Sequence, residues 1–164
     1  MPAATCPRTK MLDRVEKGAR ARALFLSGYS CSQSVLIAFS PETGVDEKTS
    51  ARLASGLGGG LGGLRMMCGA FTAACVVLGK VLGFDDPADF DQKKYLYALE
   101  QNLASRFTQQ YETLNCRALM EKAGVLVSSS PSPRTAEYYQ KRPCGLYVEE
   151  IAMLLCDVLN EEAQ

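Results

Sequence analysis

The stretch from Asp86 to Phe107, DPADFDQKKYLYALEQNLASRF, decides the fold class. Asp86 suits a helix N-cap, Pro87 suits N1, and Asp89 puts an acid at N3, where the positive end of the helix dipole favours it. Behind that start Leu96, Leu99, Leu103 and Phe107 return every three or four residues and so share one helix face. The same period recurs on both sides. Toward the C-terminus, a helix beginning near Pro143-Cys144 has Val148, Ile151, Ala152, Leu155 and Val158 or Leu159 as its stripe. Toward the N-terminus, residues 10–27 place Leu12, Val15, Ala19, Ala23 and Leu26 on one face, with Arg14, Lys17, Arg20 and Arg22 elsewhere and Gly28 as a stop. Ser30 and Gln33 form a capping box for a helix through Val35, Leu36 and Phe39 that ends before Pro41. Asp46 caps a helix through Ala51, Leu53 and Ala54.

Residues 56–63, GLGGGLGG, are too rich in glycine for a regular helix. An irregular loop, or a loosened helix end followed by close backbone packing, is expected there. The chain turns apolar and helical again from about Met67 to Leu82. A short turn or helix follows Asn115-Cys116-Arg117, residues 127–133 (VSSSPSP) form a surface loop, and Ser132-Pro133 start a short helix. No segment sustains the period-two alternation of a strand. The expected architecture is all-α: one irregular bundle of five to seven helices over residues 1–164, with 1–9 frayed.

A chain of 164 residues buries roughly 70% of its unfolded surface in one domain, so it needs no disulfide or metal to fold. Lys plus Arg balance Asp plus Glu at 18 each, which offers no basic surface for nucleic acid. The apolar runs are interrupted well short of a membrane span, and the N-terminus carries no signal core. A cytoplasmic protein is expected.

The count of histidines is zero, which removes Cys-His and Ser-His nucleophile pairs and the commonest zinc ligand. The seven cysteines are Cys6, Cys31, Cys68, Cys75, Cys116, Cys144 and Cys156. A cytosolic cysteine that does more than pack is redox-active, catalytic or metal-bound. Four of the seven adjoin expected helix starts: Cys31 after an N-cap serine, Cys68 after the glycines, Cys116 after a capping asparagine, and Cys144 after a proline suited to N1. Unpaired N–H groups and the helix dipole favour thiolate there. The plain alternative, that each is a small core residue, suits Cys75, Cys156 and the terminal Cys6 best. Cys75 follows Cys68 by two helical turns, about 10.5 Å, beyond the roughly 7 Å a disulfide spans.

Gly28-Tyr-Ser-Cys31-Ser-Gln-Ser, the glycine run, Cys68-Gly69-Ala70, Asn115-Cys116-Arg117 and Cys144 with its following helix resemble the putative redox-active proteins of the C_GCAxxG_C_C family. The resemblance covers residues 28–160. It implies that Cys31, Cys68, Cys116 and Cys144 are the signature cysteines, and it places Ala74 where the motif has its last glycine. Members are often encoded near transporter genes, which implies a transporter-associated partner.

Other patterns weigh less. Gly58-x-Gly60-x-x-Gly63 spells the dinucleotide fingerprint but lacks its preceding strand. Met66 and Met67 could be soft metal ligands, although methionines there are more often core filler. Arg117 could hold a Cys116 thiolate but reads better as a solvated side chain. Tyr95, Tyr97, Tyr138 and Tyr139 read as partly buried helix residues. The glycines could let Cys68 approach another helix, or turn backbone N–H groups toward an anionic sulfur.

These features give three readings. In the first, Cys31, Cys68, Cys116 and Cys144 converge and carry out thiol–disulfide exchange with a redox partner protein, Cys31 and Cys68 being the more reactive pair. In the second, the same four thiolates hold zinc or an iron–sulfur cluster, although no two stand at CxxC spacing. In the third, the cysteines are structural and the protein is an assembly subunit. Apolar helix faces make a homodimer an expectation in each.

Overall fold

The structure is a computed structural model that describes residues 10–163. The expectations for residues 1–9, Cys6 included, lie outside it. The described residues form α1 (Arg14–Leu26), α2 (Cys31–Ala38), α3 (Ser40–Thr43), α4 (Glu47–Ala54), α5 (Gly58–Leu61), α6 (Gly69–Leu82), α7 (Phe90–Tyr111), α8 (Cys116–Lys122), α9 (Ala136–Lys141) and α10 (Cys144–Glu161). α5 is a helix in hydrogen bonding only, because Gly59 and Gly60 have φ of 63° and 65°. Nine helices remain among the described residues, more than the five to seven expected. The surplus is short: α3 has four residues, α9 six and α8 seven, too few for an apolar stripe to repeat.

α10 is the spine, lying against α1, α2, α6 and α7. Its stripe from Val148 to Leu159 is buried, as are Leu96, Leu99, Leu103 and Phe107 of α7. The start of α7 differs from expectation. Asp89, not Asp86, is its N-cap and accepts the Gln92 N–H at 2.9 Å; Asp86 accepts from Ala88 in the turn before. Gln92 fixes that start by donating its side chain to the Leu82 carbonyl at 2.6 Å.

The face that α1 buries is also not the expected one. Lys17, Gly18, Ala21 and Phe25 point inward, while Val15, Ala19, Ala23 and Leu26 are exposed. Gly18 is the reason on one side: a Cβ there would stand 2.7 Å from Met153 Cγ, so α10 packs onto bare backbone. Lys17 is the reason on the other. Its ammonium donates to the Ala38 carbonyl at 3.0 Å and to Glu42 at 2.7 Å, in an ion pair almost closed to water. Hydropathy alone assigns such a lysine to the wrong face.

The caps nearest the site form as read. Both bonds of the Ser30–Gln33 box are present, at 3.2 and 3.0 Å. Asp46 accepts from Thr49 and Asn115 from Ala118, each at 2.9 Å. Pro143 stands at the N-cap of α10 rather than N1, and Thr135, rather than Ser132-Pro133, starts α9. Tyr97 is exposed rather than partly buried. No helix among the described residues is long and apolar enough to cross a membrane.

Candidate functional site

Four chain segments deliver one cysteine each to a common cavity of about 370 Å³. Cys31, Cys116 and Cys144 are the first residues of α2, α8 and α10, and Cys68 is the N-cap of α6. The other two described cysteines stand elsewhere. Cys156 lies in the α10 core, and Cys75 faces Glu100 on α7, to which it hydrogen-bonds.

The chain between 56 and 69 brings Cys31, Cys68 and Cys116 together. Gly59, Gly60, Gly62 and Gly63 all have left-handed φ, which bends the backbone back on itself. A Cβ on Gly60 would stand 2.7 Å from the Cys116 Cβ and 2.6 Å from the Met66 nitrogen, so only glycine lets this strand pass under α8. Residues 66–68 then pair antiparallel with 114–116 in a single bridge, Met67 opposite Asn115. The Cys68 N–H donates to the Leu114 carbonyl at 2.8 Å and the Cys116 N–H to the Met66 carbonyl at 2.6 Å. That pairing sets Cys68 and Cys116 diagonally across the bridge, Cys68 opposite Leu114 and Cys116 opposite Met66. Met66 and Met67 serve it through their backbones; their side chains are 57% and 43% exposed, so they are not core filler. Gly69 supplies the last close approach, since a Cβ there would stand 2.7 Å from Cys31 Sγ. Ala74 is buried in the core of α6 and does not line the cavity.

Helix starts were expected to lower the thiol pKa values, and at Cys31, Cys68 and Cys144 burial outweighs them. Burial pushes the Cys31 thiol up, against the pull of the Gly59 and Ser32 N–H groups. It pushes Cys68 up too, although the Ala70 and Phe71 N–H groups lie toward that sulfur. Cys144 is pushed up to about 12, first by burial and then by the nearby Cys31 and Cys116 sulfurs. A water-poor cavity holding several thiols resists more than one negative charge. The Gly59 contact gives the glycine run a role that the sequence left open: one of its amides faces a site sulfur.

Cys116 is contacted by Arg65, whose Nη1 lies 3.9 Å from the sulfur. Arg65 is buried, its Nε donates to the Ser128 carbonyl at 2.9 Å, and its own φ is 59°. A non-glycine residue held there stores roughly 1–3 kcal/mol of strain. Arg117 is exposed, as the solvated reading had it. Arg134 and Arg142 also line the cavity, with Tyr138 between them. The loop read as plain surface closes over one side, because Gly63 lets the Ser129 carbonyl approach where a Cβ would stand 2.3 Å away. Sequence reading missed these three arginines and the loop's role. Arg134 and Arg142 adjoin prolines, which is ordinary on any surface, and nothing beside Arg65 in sequence signals its role.

The four-sulfur donor set suits zinc or an iron–sulfur cluster chemically. In this arrangement, however, no three His, Cys, Asp or Glu side chains among the described residues stand together closely enough to hold a metal ion. The four signature cysteines are thiols, with no disulfide between them.

The family model described as "Putative redox-active protein (C_GCAxxG_C_C)" matches residues 29–158. No curated protein and no solved structure matches the chain.

Proposed function

Because the chain belongs to the C_GCAxxG_C_C family of putative redox-active proteins, we propose that it carries out thiol–disulfide exchange in the four-cysteine cavity. Cys31 attacks as thiolate one sulfur of an oxidised disulfide, and that disulfide's other sulfur leaves as a thiolate that takes up a proton. Cys68, deprotonated in turn, attacks the Cys31 sulfur and expels the second thiol. Two electrons pass to the substrate, two protein protons are released to the leaving thiolates, and a Cys31–Cys68 disulfide remains. Cys116 and Cys144 can return those electrons or pass the disulfide onward.

One observation carries the reading: four helix starts remote in sequence place their thiols in one cavity. Cys31 is the attacking group because it is partly exposed, whereas Cys68 is 7% exposed. Raised pKa values slow the first attack. The resolving step needs a local movement that carries Cys68 to Cys31, because no two of the described cysteines stand at disulfide distance. A reducing compartment such as the cytoplasm is the setting in which such thiols recharge.

The test is thiol counting on anaerobically reduced protein before and after graded oxidation, with peptide mapping of any link. The expected result is loss of two thiols at a time, reversed by dithiothreitol, with Cys31 in the first link. Four thiols that survive mild oxidation unpaired refute the exchange mechanism. Metal analysis and an absorbance spectrum of the same preparation check the zinc and iron–sulfur alternative.

A further inference from the structure

The cavity holds more cations than its own residues balance. Arg65, Arg134 and Arg142 line it, and no Asp or Glu does. None of the three takes part in an ion pair among the described residues, whereas seven other pairs form elsewhere. Arg65 is 7% exposed, and its partners are a backbone carbonyl and a thiol sulfur. A buried guanidinium without a counter-charge is costly, and the usual resolution is an anion.

Arg134 and Arg142 point the same way. Each guanidinium lies 4.5 Å from the centre of the Tyr138 ring, so the two cations are no more than twice that distance apart. Arg134 also rests on Phe25 at 4.9 Å, and Arg142 donates to the Ser132 hydroxyl at 3.0 Å. The rings fix both heads in place before anything binds, so little rotamer freedom is lost on binding. Guanidinium forks recognise carboxylates in two-point contacts.

We infer that the oxidised substrate is a small molecule carrying carboxylates beside its disulfide, held by Arg65, Arg134 and Arg142 with its sulfurs against Cys31. The inference rests on the exchange reading above and narrows its substrate. It puts a small molecule in the place of the partner protein expected from sequence. Cys68 and Cys116, at 7% and 9% exposed, are enclosed, so an incoming disulfide meets the partly exposed Cys31 within the cavity. A cavity of about 370 Å³ accepts a compact ligand.

A charge series of equal length tests this. The reduced protein is mixed with dithiodiglycolate, bis(2-hydroxyethyl) disulfide and cystamine, and each rate is divided by that of the uncharged thiol N-acetylcysteine amide with the same disulfide. The dianion should then exceed the neutral compound by at least about tenfold, with the dication slowest. The preference should collapse in Arg134→Gln/Arg142→Gln, which alters exposed or half-exposed side chains and keeps the test valid if Arg65→Gln fails to fold. Arg117→Gln, outside the cavity, should keep it. Equal normalised rates for the three disulfides overturn the inference while leaving the exchange mechanism standing. Adipate, an unreactive match in length for the dianion, separates the two by calorimetry. Saturable adipate binding that weakens in the arginine variants supports the site even if no disulfide reacts; no binding to the reduced protein overturns it.

Discussion

Gly69→Ala and Gly79→Ala make the same chemical change in the same helix and should have opposite effects. Both residues lie in α6. Alanine is the better helix former, by about 0.8–1.0 kcal/mol in a helix interior and less in the first turn. At Gly79 nothing lies within 4 Å of the added Cβ, so the propensity gain stands and stability should rise by about 0.5–1 kcal/mol. At Gly69 the Cβ would meet Cys31 Sγ at 2.7 Å, the Leu57 carbonyl oxygen at 2.8 Å and the Gly58 Cα at 3.2 Å. Two of those three atoms are backbone, and the sulfur is held by the Gly59 amide, so none can step aside cheaply. Overpacking of that kind costs about 1–3 kcal/mol. The cost exceeds the small first-turn gain, leaving Gly69→Ala about 1–2 kcal/mol less stable than wild type. In a chain of this size each kcal/mol moves Tm by about 2–4 °C. Urea unfolding of both variants gives the signs, and the rate of Cys31–Cys68 disulfide formation gives the effect on the site. Pairing should change in Gly69→Ala and stay as in wild type in Gly79→Ala. A Gly69→Ala protein as stable as Gly79→Ala, pairing its thiols at the wild-type rate, refutes the claim that Gly69 exists to admit the Cys31 sulfur.

Gly60→Ala should be harsher still, since it combines a φ of 65° with contacts of 2.6–2.7 Å; circular dichroism and soluble yield should show misfolding or a loss above about 3 kcal/mol. Lys17→Met leaves Glu42 charged and enclosed, and should cost about 3–5 kcal/mol in urea unfolding, much of it recovered in Lys17→Met/Glu42→Gln. The raised Cys144 pKa ties stability to alkaline pH. The folded state holds that proton above the ordinary thiol value of 9.0, so its contribution is complete below pH 9 and is lost as pH climbs toward about 12. Urea midpoints measured between pH 8 and 11 should fall, and Cys144→Ala should flatten part of that decline.

How much of the site was legible depends on whether its cause is local. The Ser30–Gln33 box, the Asn115 cap and the glycine run involve residues a few positions apart, and their spacing fixes their geometry. The positions of Cys31 and Cys116 followed, because Ser30 and Asn115 cap their helices, whereas the helices at Cys68 and Cys144 begin without a side-chain cap. The thiol pKa direction did not follow, because burial belongs to the packed neighbours and outweighs the local amides. Arg65 escaped for the same reason: nothing near it in sequence says that the Ser128 carbonyl and the Cys116 sulfur will enclose it.

The sequence by itself determined that the chain is helical and where most helices begin, and it assigned the four signature cysteines to helix starts, since capping and periodicity act over one or two turns. Tertiary structure alone decided which face of α1 turns inward, that four thiols share one cavity, and that three arginines surround them without acids. Those outcomes come from bare glycine backbone at positions 18, 60 and 69, where helices and strand can approach to contact and carry distant side chains with them.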